Sequence, residues 1–210
     1  MITLENIYFS IKDKDILQNI SYNFEAGKIH LILGTNGAGK STLIKLLSGE
    51  QKPTKGNVLF DNKNLQQIPT KKLAKSRAVL SQNIDLSFPL SVQEVVLMGR
   101  YPHFQEKPDA QSIKIVQEAM DLFSIENLKE RNYLTLSGGE KQRVQFARVF
   151  TQIWQKPESS SRLLLLDEPL SFLDIFYQYD LMDKIKNFIN INTDLTVIGV
   201  VHDINIAAKY

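Results

Sequence analysis

The chain has 210 residues, of which 43% are hydrophobic and 23% are charged. Its 25 Lys and Arg residues nearly balance its 23 Asp and Glu residues, and it contains no cysteine. A formal net charge of +2 is too small to indicate a nucleic-acid partner, since binding to phosphates needs several unpaired basic side chains. The missing cysteines exclude a disulfide scaffold, a thiol nucleophile and a cysteine-ligated metal site. Length and hydrophobic fraction are those of one globular domain.

Hydropathy along the chain argues against a membrane span. No run approaches the roughly 18 to 20 continuous apolar residues that crossing a bilayer requires. The N-terminal residues lack the basic start and apolar stretch of a signal peptide and instead predict a first strand. We therefore expect a cytoplasmic protein that reaches a membrane only through a partner.

The first core strand is predicted from an apolar run over residues 29–33, and a helical pattern follows over residues 41–47. Between them, residues 34–41 match the phosphate-loop pattern, in the strand-to-helix context that the motif requires. Glycines let the backbone wrap around phosphates, and the N–H groups at the helix start attract their charge. We expect Lys40 to reach the β- and γ-phosphates and Ser41 to ligate Mg²⁺. The predicted nucleotide-binding residues are Gly34, Thr35, Asn36, Gly37, Ala38, Gly39, Lys40, Ser41 and Thr42.

The next segment, residues 45–77, carries eight basic residues against two acidic ones. Such an excess indicates a solvated face more often than a binding patch. An apolar run over residues 78–80 then predicts a strand that continues to Gln82.

A mainly helical lobe is predicted for the following stretch. Residues 83–136 contain three prolines and little strand character, and residues 109–123 have apolar side chains at three- and four-residue spacing. We interpret this stretch as a lobe inserted between two strands of the sheet.

A second helix start with features suited to phosphate is predicted at Ser137. Its hydroxyl can cap the helix, and Glu140 can close a capping box. Gly138 and Gly139 follow the cap and cost helix propensity, which is understandable if a ligand approaches the free N–H groups. Since the chain has only one complete phosphate loop, we expect this second start to serve a nucleotide held by another copy.

Two further apolar runs, residues 163–166 and 197–201, complete the predicted core. Runs without polar alternation are typical of strands buried on both faces of a parallel sheet, whose ligands bind beyond the carboxyl ends. Asp167 and Glu168 end the first run. At this position Asp167 can supply a carboxylate to a bound Mg²⁺, and Glu168 can polarise the water that attacks the phosphate. His202 ends the second run.

In their order along the chain, these motifs resemble the ATP-binding subunits of ABC transporters, from about Thr3 to the last residue. The Leu-Ser-Gly-Gly-Glu signature together with a phosphate loop is highly specific. The resemblance implies an α/β phosphate-loop NTPase fold with a parallel-sheet core, an N-terminal antiparallel β portion and a helical subdomain at about residues 83–150. It further implies one ABC ATPase domain over residues 1–210. The motifs are residues 34–41, Gln82, residues 136–140, Gln142, Arg143, residues 163–168, Asp174 and His202.

Residue roles follow from the same resemblance. Gln82 senses Mg²⁺ and the membrane partner, Asp167 holds the metal, and Glu168 is the general base. Asp174 lies in a dimer-contact loop beside the nucleotide, and His202 contacts the γ-phosphate. A head-to-tail homodimer would hold two ATP molecules, each between one phosphate loop and the other copy's Ser137, Gly138, Gly139 and Glu140.

A narrower resemblance points to importers of iron chelates, haem and vitamin B12, and within them to hemin importers. It depends on residues 87–92, residues 95–103 and the long link over residues 148–163. Departures from the family include Ile11 where an adenine-stacking aromatic is usual, with Tyr8 or Phe9 as substitutes if stacking is kept. The others are Thr35, Leu170, Phe172 and Leu173.

The sequence thus predicts an ATPase that energises hemin uptake from the cytoplasmic face of the membrane. Its expected partners are a permease dimer and, indirectly, a periplasmic or extracellular substrate-binding protein, with no direct haem contact. Ferric-siderophore or vitamin B12 import is an alternative. Three alternative functions come from other classes of protein: a soluble ABC ATPase acting on DNA or ribosomes, a small phosphate-loop kinase, and an inactive nucleotide-binding chain. The last arises because family members continue past the end of this sequence, which we expect to be truncated.

Overall fold

The computed structural model describes residues 1–12, 14–81, 86–157 and 161–210. Two sheets form from the strands of these segments. The antiparallel sheet contains β1 (Ile2–Ile11), β2 (Lys14–Phe24), β4 (Lys55–Phe60) and β5 (Lys63–Asn64), in the order β2-β1-β4-β5. The parallel sheet contains β3 (Ile29–Ile32), β6 (Arg77–Leu80), β7 (Arg162–Asp167) and β8 (Leu195–Val200), in the order β3-β8-β7-β6.

The helices pack around the parallel sheet and form the lobe between β6 and β7. The α-helices are α1 (Lys40–Ser48), α2 (Thr70–Ser76), α3 (Val92–Leu97), α4 (Ala110–Leu122), α5 (Gly138–Gln152), α6 (Ile175–Ile191) and α7 (Ile204–Lys209). Short 3-10 turns occupy Leu65–Gln67, Met98–His103, Glu126–Leu128 and Tyr133–Thr135. Within the described segments, no helix is long and apolar enough to cross a membrane.

The parallel sheet is buried on both faces, which explains its uninterrupted apolar runs. On β7, Leu164 and Leu166 pack with the helical lobe and α6, whereas Leu163 and Leu165 pack on the other face with α1 and the antiparallel sheet. Because successive side chains point to opposite faces, both faces need apolar residues. The predicted fold class, with its antiparallel portion and helical insertion, is confirmed.

Sequence and structure differ at a few element ends. The strand predicted to reach Gln82 ends at Leu80, and Gln82 itself lies outside the described residues. α4 is shorter than predicted because Asp109 caps it, its carboxylate accepting the Ser112 N–H at 2.7 Å. An N-cap residue has non-helical backbone angles, so a pattern of apolar spacing cannot distinguish it from the first helical residue.

Candidate functional site

The predicted phosphate loop joins the end of β3 to the start of α1. Gly39 is the N-cap of α1 with φ of 89°, and Gly37 has φ of 81°, both in the left-handed region that favours glycine. No side chain of the described residues caps this helix. The N–H groups of its first turn therefore remain available to an anion.

Lys40 places its ammonium within the loop. The side chain is buried, and Nζ donates to the carbonyl oxygens of Gly34 at 2.9 Å and Thr35 at 3.0 Å. These two carbonyls hold the ammonium at the point that the loop encircles. A phosphate entering the loop meets a positive charge that is already positioned.

Ser41 and Asp167 meet across the start of α1 and the end of β7. The Ser41 hydroxyl donates to Oδ1 of Asp167 at 3.1 Å. Burial raises the pKa of the Asp167 carboxyl, and the hydrogen bond from Ser41 only partly opposes this effect. A hydroxyl and a buried carboxylate are oxygen ligands of the kind Mg²⁺ prefers alongside phosphate and water. The described residues contain no cluster of three or more His, Cys, Asp or Glu for a metal, so any ion here would rely on such outside ligands.

Glu168 and His202 are brought together by the order of the parallel strands. They follow neighbouring strands β7 and β8, and Nε2 of His202 lies 2.9 Å from Oε1 of Glu168. Glu168 has φ of 51°, a left-handed conformation that costs a non-glycine residue about 1 to 2 kcal/mol. Such strain occurs mainly where the surrounding structure enforces an orientation.

Lys40, Ser41, Glu168 and His202 line one open cleft of about 640 Å³. Ile16 of β2 also lines it and was not singled out from the sequence, because only strand pairing brings β2 beside the loop. Its methyl carbon lies 3.2 Å from where a Gly39 side chain would begin. The lining residues are Ile16, Asn36, Gly37, Gly39, Lys40, Ser41, Thr42, Glu168 and His202.

The two aromatic candidates for adenine stacking are placed elsewhere. The Phe9 ring is buried in the core beneath the antiparallel sheet, and it is absent from the described lining of the cleft. Tyr8 lies with the Lys55 ammonium 5.8 Å from its ring centroid, and it is absent from the described lining of the cleft. Ile11 is half exposed at the end of β1. The described lining of the cleft thus contains the aliphatic side chain of Ile16 and none of Tyr8, Phe9 and Ile11.

The signature residues form a second, separate cleft of about 380 Å³. Ser137 caps α5, accepting the Glu140 N–H at 3.3 Å, while Glu140 accepts the Ser137 N–H at 2.8 Å. These hydrogen bonds hold the pKa of the Glu140 carboxyl below its ordinary value. Asp174 caps α6 on the opposite wall and accepts the Tyr177 N–H at 3.1 Å. The lining residues are Ser137, Gly139, Glu140, Arg143, Phe172, Leu173, Asp174 and Tyr177.

The described linings of the two clefts have no residue in common. A chain of side-chain bonds nevertheless ties the signature helix to the loop after Glu168. Gln142 of α5 donates to the Pro169 carbonyl at 2.6 Å, and Gln178 of α6 donates to the Leu173 carbonyl at 2.9 Å. The structure therefore places two separate clefts in one chain and connects them through the loop that follows Glu168.

A phosphate-binding loop on a parallel α/β sheet defines a nucleotide-binding protein of the phosphate-loop class. The ABC transporter family matches residues 17–171, about three quarters of the chain. The chain therefore belongs to the ABC transporter family, and it has that family's ATP-binding ATPase fold.

Curated relatives agree over nearly the whole chain. The hemin import ATP-binding protein HmuV of Gloeobacter violaceus is 45% identical over 93% of this chain and 70% of its own length. The protein of the same name from Escherichia coli O157:H7 is 41% identical over 100% of this chain and 80% of its own length.

Solved structures share the fold. A component of an ABC transporter complex from Clostridium perfringens has a TM-score of 0.83 at 31% identity and aligns with 100% of this chain and 81% of its own. The dimeric structure of a bacterial ABC transporter cassette also has a TM-score of 0.83, at 27% identity, over 99% of this chain and 90% of its own.

Proposed function

We propose that this chain is the ATP-hydrolysing subunit of an importer that takes up hemin through separate permease subunits. It would bind peripherally at the cytoplasmic face of the membrane, without touching the hemin itself. The observation that carries the ATPase part is the cleft in which Lys40, Ser41, Glu168 and His202 converge. The substrate is supported by four relatives that are 38% to 45% identical and are named hemin import ATP-binding proteins.

The separation of the two clefts supports a head-to-tail homodimer. The signature cleft has an anion-attracting helix start but no phosphate loop, and the phosphate-loop cleft lacks the signature. A second copy would supply the missing half of each site, so two ATP molecules would lie between two chains. The solved relative that is described as dimeric is consistent with this assembly.

Five described residues in or beside this cleft then have defined roles. Lys40 and the α1 N–H groups bind the β- and γ-phosphates. Mg²⁺, held by Ser41 and Asp167, would neutralise charge on the phosphate oxygens. Glu168 accepts a proton from the water that attacks the γ-phosphorus, and His202 orients the Glu168 carboxylate by their 2.9 Å contact. We retain Gln82 as a sensor of metal and permease, a role that falls on a residue outside the described segments.

Glu168→Gln tests the ATPase assignment. The amide cannot take the proton, so we expect the hydrolysis rate to fall by about 10²- to 10⁴-fold while ATP binding persists. ATP should also drive the variant into a stable dimer, because binding is kept and turnover is blocked. Rates come from phosphate release, and assembly from sedimentation with and without ATP.

The matched control is Glu130→Gln, which removes the same charge at an exposed position far along the chain. It should hydrolyse ATP like the parent. If Glu168→Gln hydrolyses ATP at the parental rate, the proton acceptor is another group. If it binds ATP but stays monomeric, the shared-site arrangement is wrong.

The substrate is tested by reconstituting the chain with its co-purified permease in vesicles. We expect ATP-dependent uptake of hemin and little uptake of a ferric siderophore or cobalamin. Uptake of either competitor in place of hemin would transfer the assignment to that substrate and leave the ATPase part unaffected.

A further inference from the structure

A third cavity, also of about 380 Å³, lies between the antiparallel sheet and α2, and its described lining shares no residue with the two clefts above. Its volume is within the range of small-molecule sites. Phe60 of β4 and Leu73 and Ser76 of α2 are buried in its wall, and Ile68 packs against the same core. The remaining lining residues are Asp61, Lys63, Gln67, Pro69 and Lys72.

The rim of this cavity is positively charged. Lys63 and Lys72 are exposed, and neither forms an ion pair with any described residue. The negative charge of the acidic lining residue, Asp61, is already paired. Its carboxylate accepts the N-terminal ammonium at 2.7 Å and the Ser161 N–H at 2.7 Å, and these bonds hold its pKa below the ordinary value.

Two free ammonium groups above an apolar wall match one kind of ligand. We propose that this cavity binds a small amphipathic carboxylate, with its hydrocarbon part against Phe60, Ile68 and Leu73 and its carboxylate between Lys63 and Lys72. Burial of the hydrocarbon supplies affinity in proportion to its apolar area, and the lysines select the charge. An amphipathic cation is disfavoured because the Asp61 carboxylate is occupied.

The position of the cavity makes this binding separable from ATP binding. The wall contains the residues before Arg77, at the amino end of β6, and Asp61 bonds to Ser161 just before β7. Phosphate-loop ligands bind beyond the opposite, carboxyl ends of these strands. An occupant here should therefore leave the nucleotide cleft open.

The test is calorimetric titration of the full chain with octanoate, with 1-octanol and butanoate as matched ligands. We expect saturable octanoate binding at one site. Octanol lacks the charge and should bind about tenfold more weakly. Each CH₂ between butanoate and octanoate should tighten binding about fourfold. Equal affinity for octanoate and octanol, or no dependence on chain length, would overturn the proposal.

Two double variants test the location. Lys63→Gln with Lys72→Gln should weaken octanoate binding about tenfold or more. Lys71→Gln with Lys75→Gln removes the same charge from exposed positions outside the cavity lining and should leave binding unchanged. All four side chains are exposed, and melting curves check that both variants fold. An equal loss in both pairs would mean attraction to the general charge of α2 and would contradict a defined site.

Competition with ADP tests whether octanoate and the nucleotide bind at separate sites. Saturating ADP should not alter octanoate affinity, since the ligands occupy opposite ends of the sheet. Displacement by ADP would place the carboxylate at the phosphate loop and refute the cavity site. A chain that binds octanoate but does not hydrolyse ATP would disprove only the proposed ATPase function.

Discussion

The two clefts of this chain both lie at a helix N-terminus, yet the two helix starts are built differently. α1 begins at Gly39 without a side-chain cap, and its cleft contains a buried, fixed ammonium. α5 begins with Ser137 and Glu140, which bond to each other's backbone and so satisfy part of the helix end internally. The first start is suited to hold phosphate alone, whereas the second is stable without a ligand and can add contacts to a phosphate already held.

The largest expected difference concerns the basic residues of the two clefts. Lys40→Met removes the ammonium from the phosphate loop and should weaken ATP binding to the monomer by about 10- to 100-fold. Arg143→Met removes a cation from the signature cleft and should leave monomer affinity unchanged. Fluorescence titration with a labelled ATP analogue measures both. Equal losses would mean that one chain already joins the two half-sites.

Replacing a glycine by alanine should have opposite effects on stability in the two clefts, although both motifs are glycine-rich in sequence. At Gly39, φ is positive and an added Cβ would lie 2.8 Å from Leu17, so Gly39→Ala should destabilise the fold by about 2 to 4 kcal/mol. At Gly139, an added Cβ would meet Phe172 at an ordinary 3.6 Å, so Gly139→Ala should stabilise α5 by about 0.5 to 1 kcal/mol. Urea unfolding compares the two. A fully stable Gly39→Ala chain would contradict the geometry of the loop.

The serine caps separate stability from nucleotide chemistry. Ser137→Ala removes the capping box of α5 and should cost about 1 kcal/mol, without changing ATP binding to the monomer but weakening ATP-driven dimerisation. Ser91→Ala removes an equivalent capping box from α3, outside both cleft linings. It should cost the same stability and leave dimerisation intact. A dimerisation defect in both variants would attribute the effect to general destabilisation.

The smallest effect is in the pH dependence of stability. The pKa of Glu140 in the signature cleft is lowered, whereas the pKa of Asp167 beside the phosphate-loop cleft is raised, so the two carboxylates change stability in opposite directions as pH changes. Because folding lowers the pKa of Glu140, its carboxylate contributes stability at pH values above the ordinary pKa. That contribution is lost as pH falls through the folded-state pKa. Because folding raises the pKa of Asp167, its protonated form contributes stability at pH values below the ordinary pKa. That contribution is lost as pH rises through the folded-state pKa.

Glu140→Gln should therefore be less stable than the parent at pH 7, by at most about 0.5 kcal/mol because the group is largely solvated, and equal to it at low pH. Asp167→Asn should gain stability relative to the parent as pH rises from 3 to 7. Urea unfolding at several pH values measures both, with Glu130→Gln as the exposed control. If the stability difference between variant and parent changed with pH in the same direction for both variants, the two carboxylates would not differ in environment.

Much of the molecule could be predicted from local pattern. The apolar runs that became β3, β6, β7 and β8 are readable because a strand buried on both faces leaves no polar positions. The capping box at Ser137 is readable because it needs only residues three apart. The presence of Ile16 in the phosphate-loop cleft was harder to predict, since Phe9 and Ile16 belong to neighbouring strands and only their packing decides that Phe9 is buried and Ile16 lines the cleft.

The sequence by itself determined the chemistry: a phosphate loop, two carboxylates after a buried strand, a signature helix start and no membrane-spanning run of its own. Tertiary structure decided which of these groups meet. Pairing of β7 with β8 brings His202 to Glu168, and packing of α1 on β7 brings Ser41 to Asp167. The signature residues lie in a separate cleft. Motifs are local and depend on a few neighbouring residues, whereas contact between distant segments depends on strand order and on the surfaces that all elements bury together.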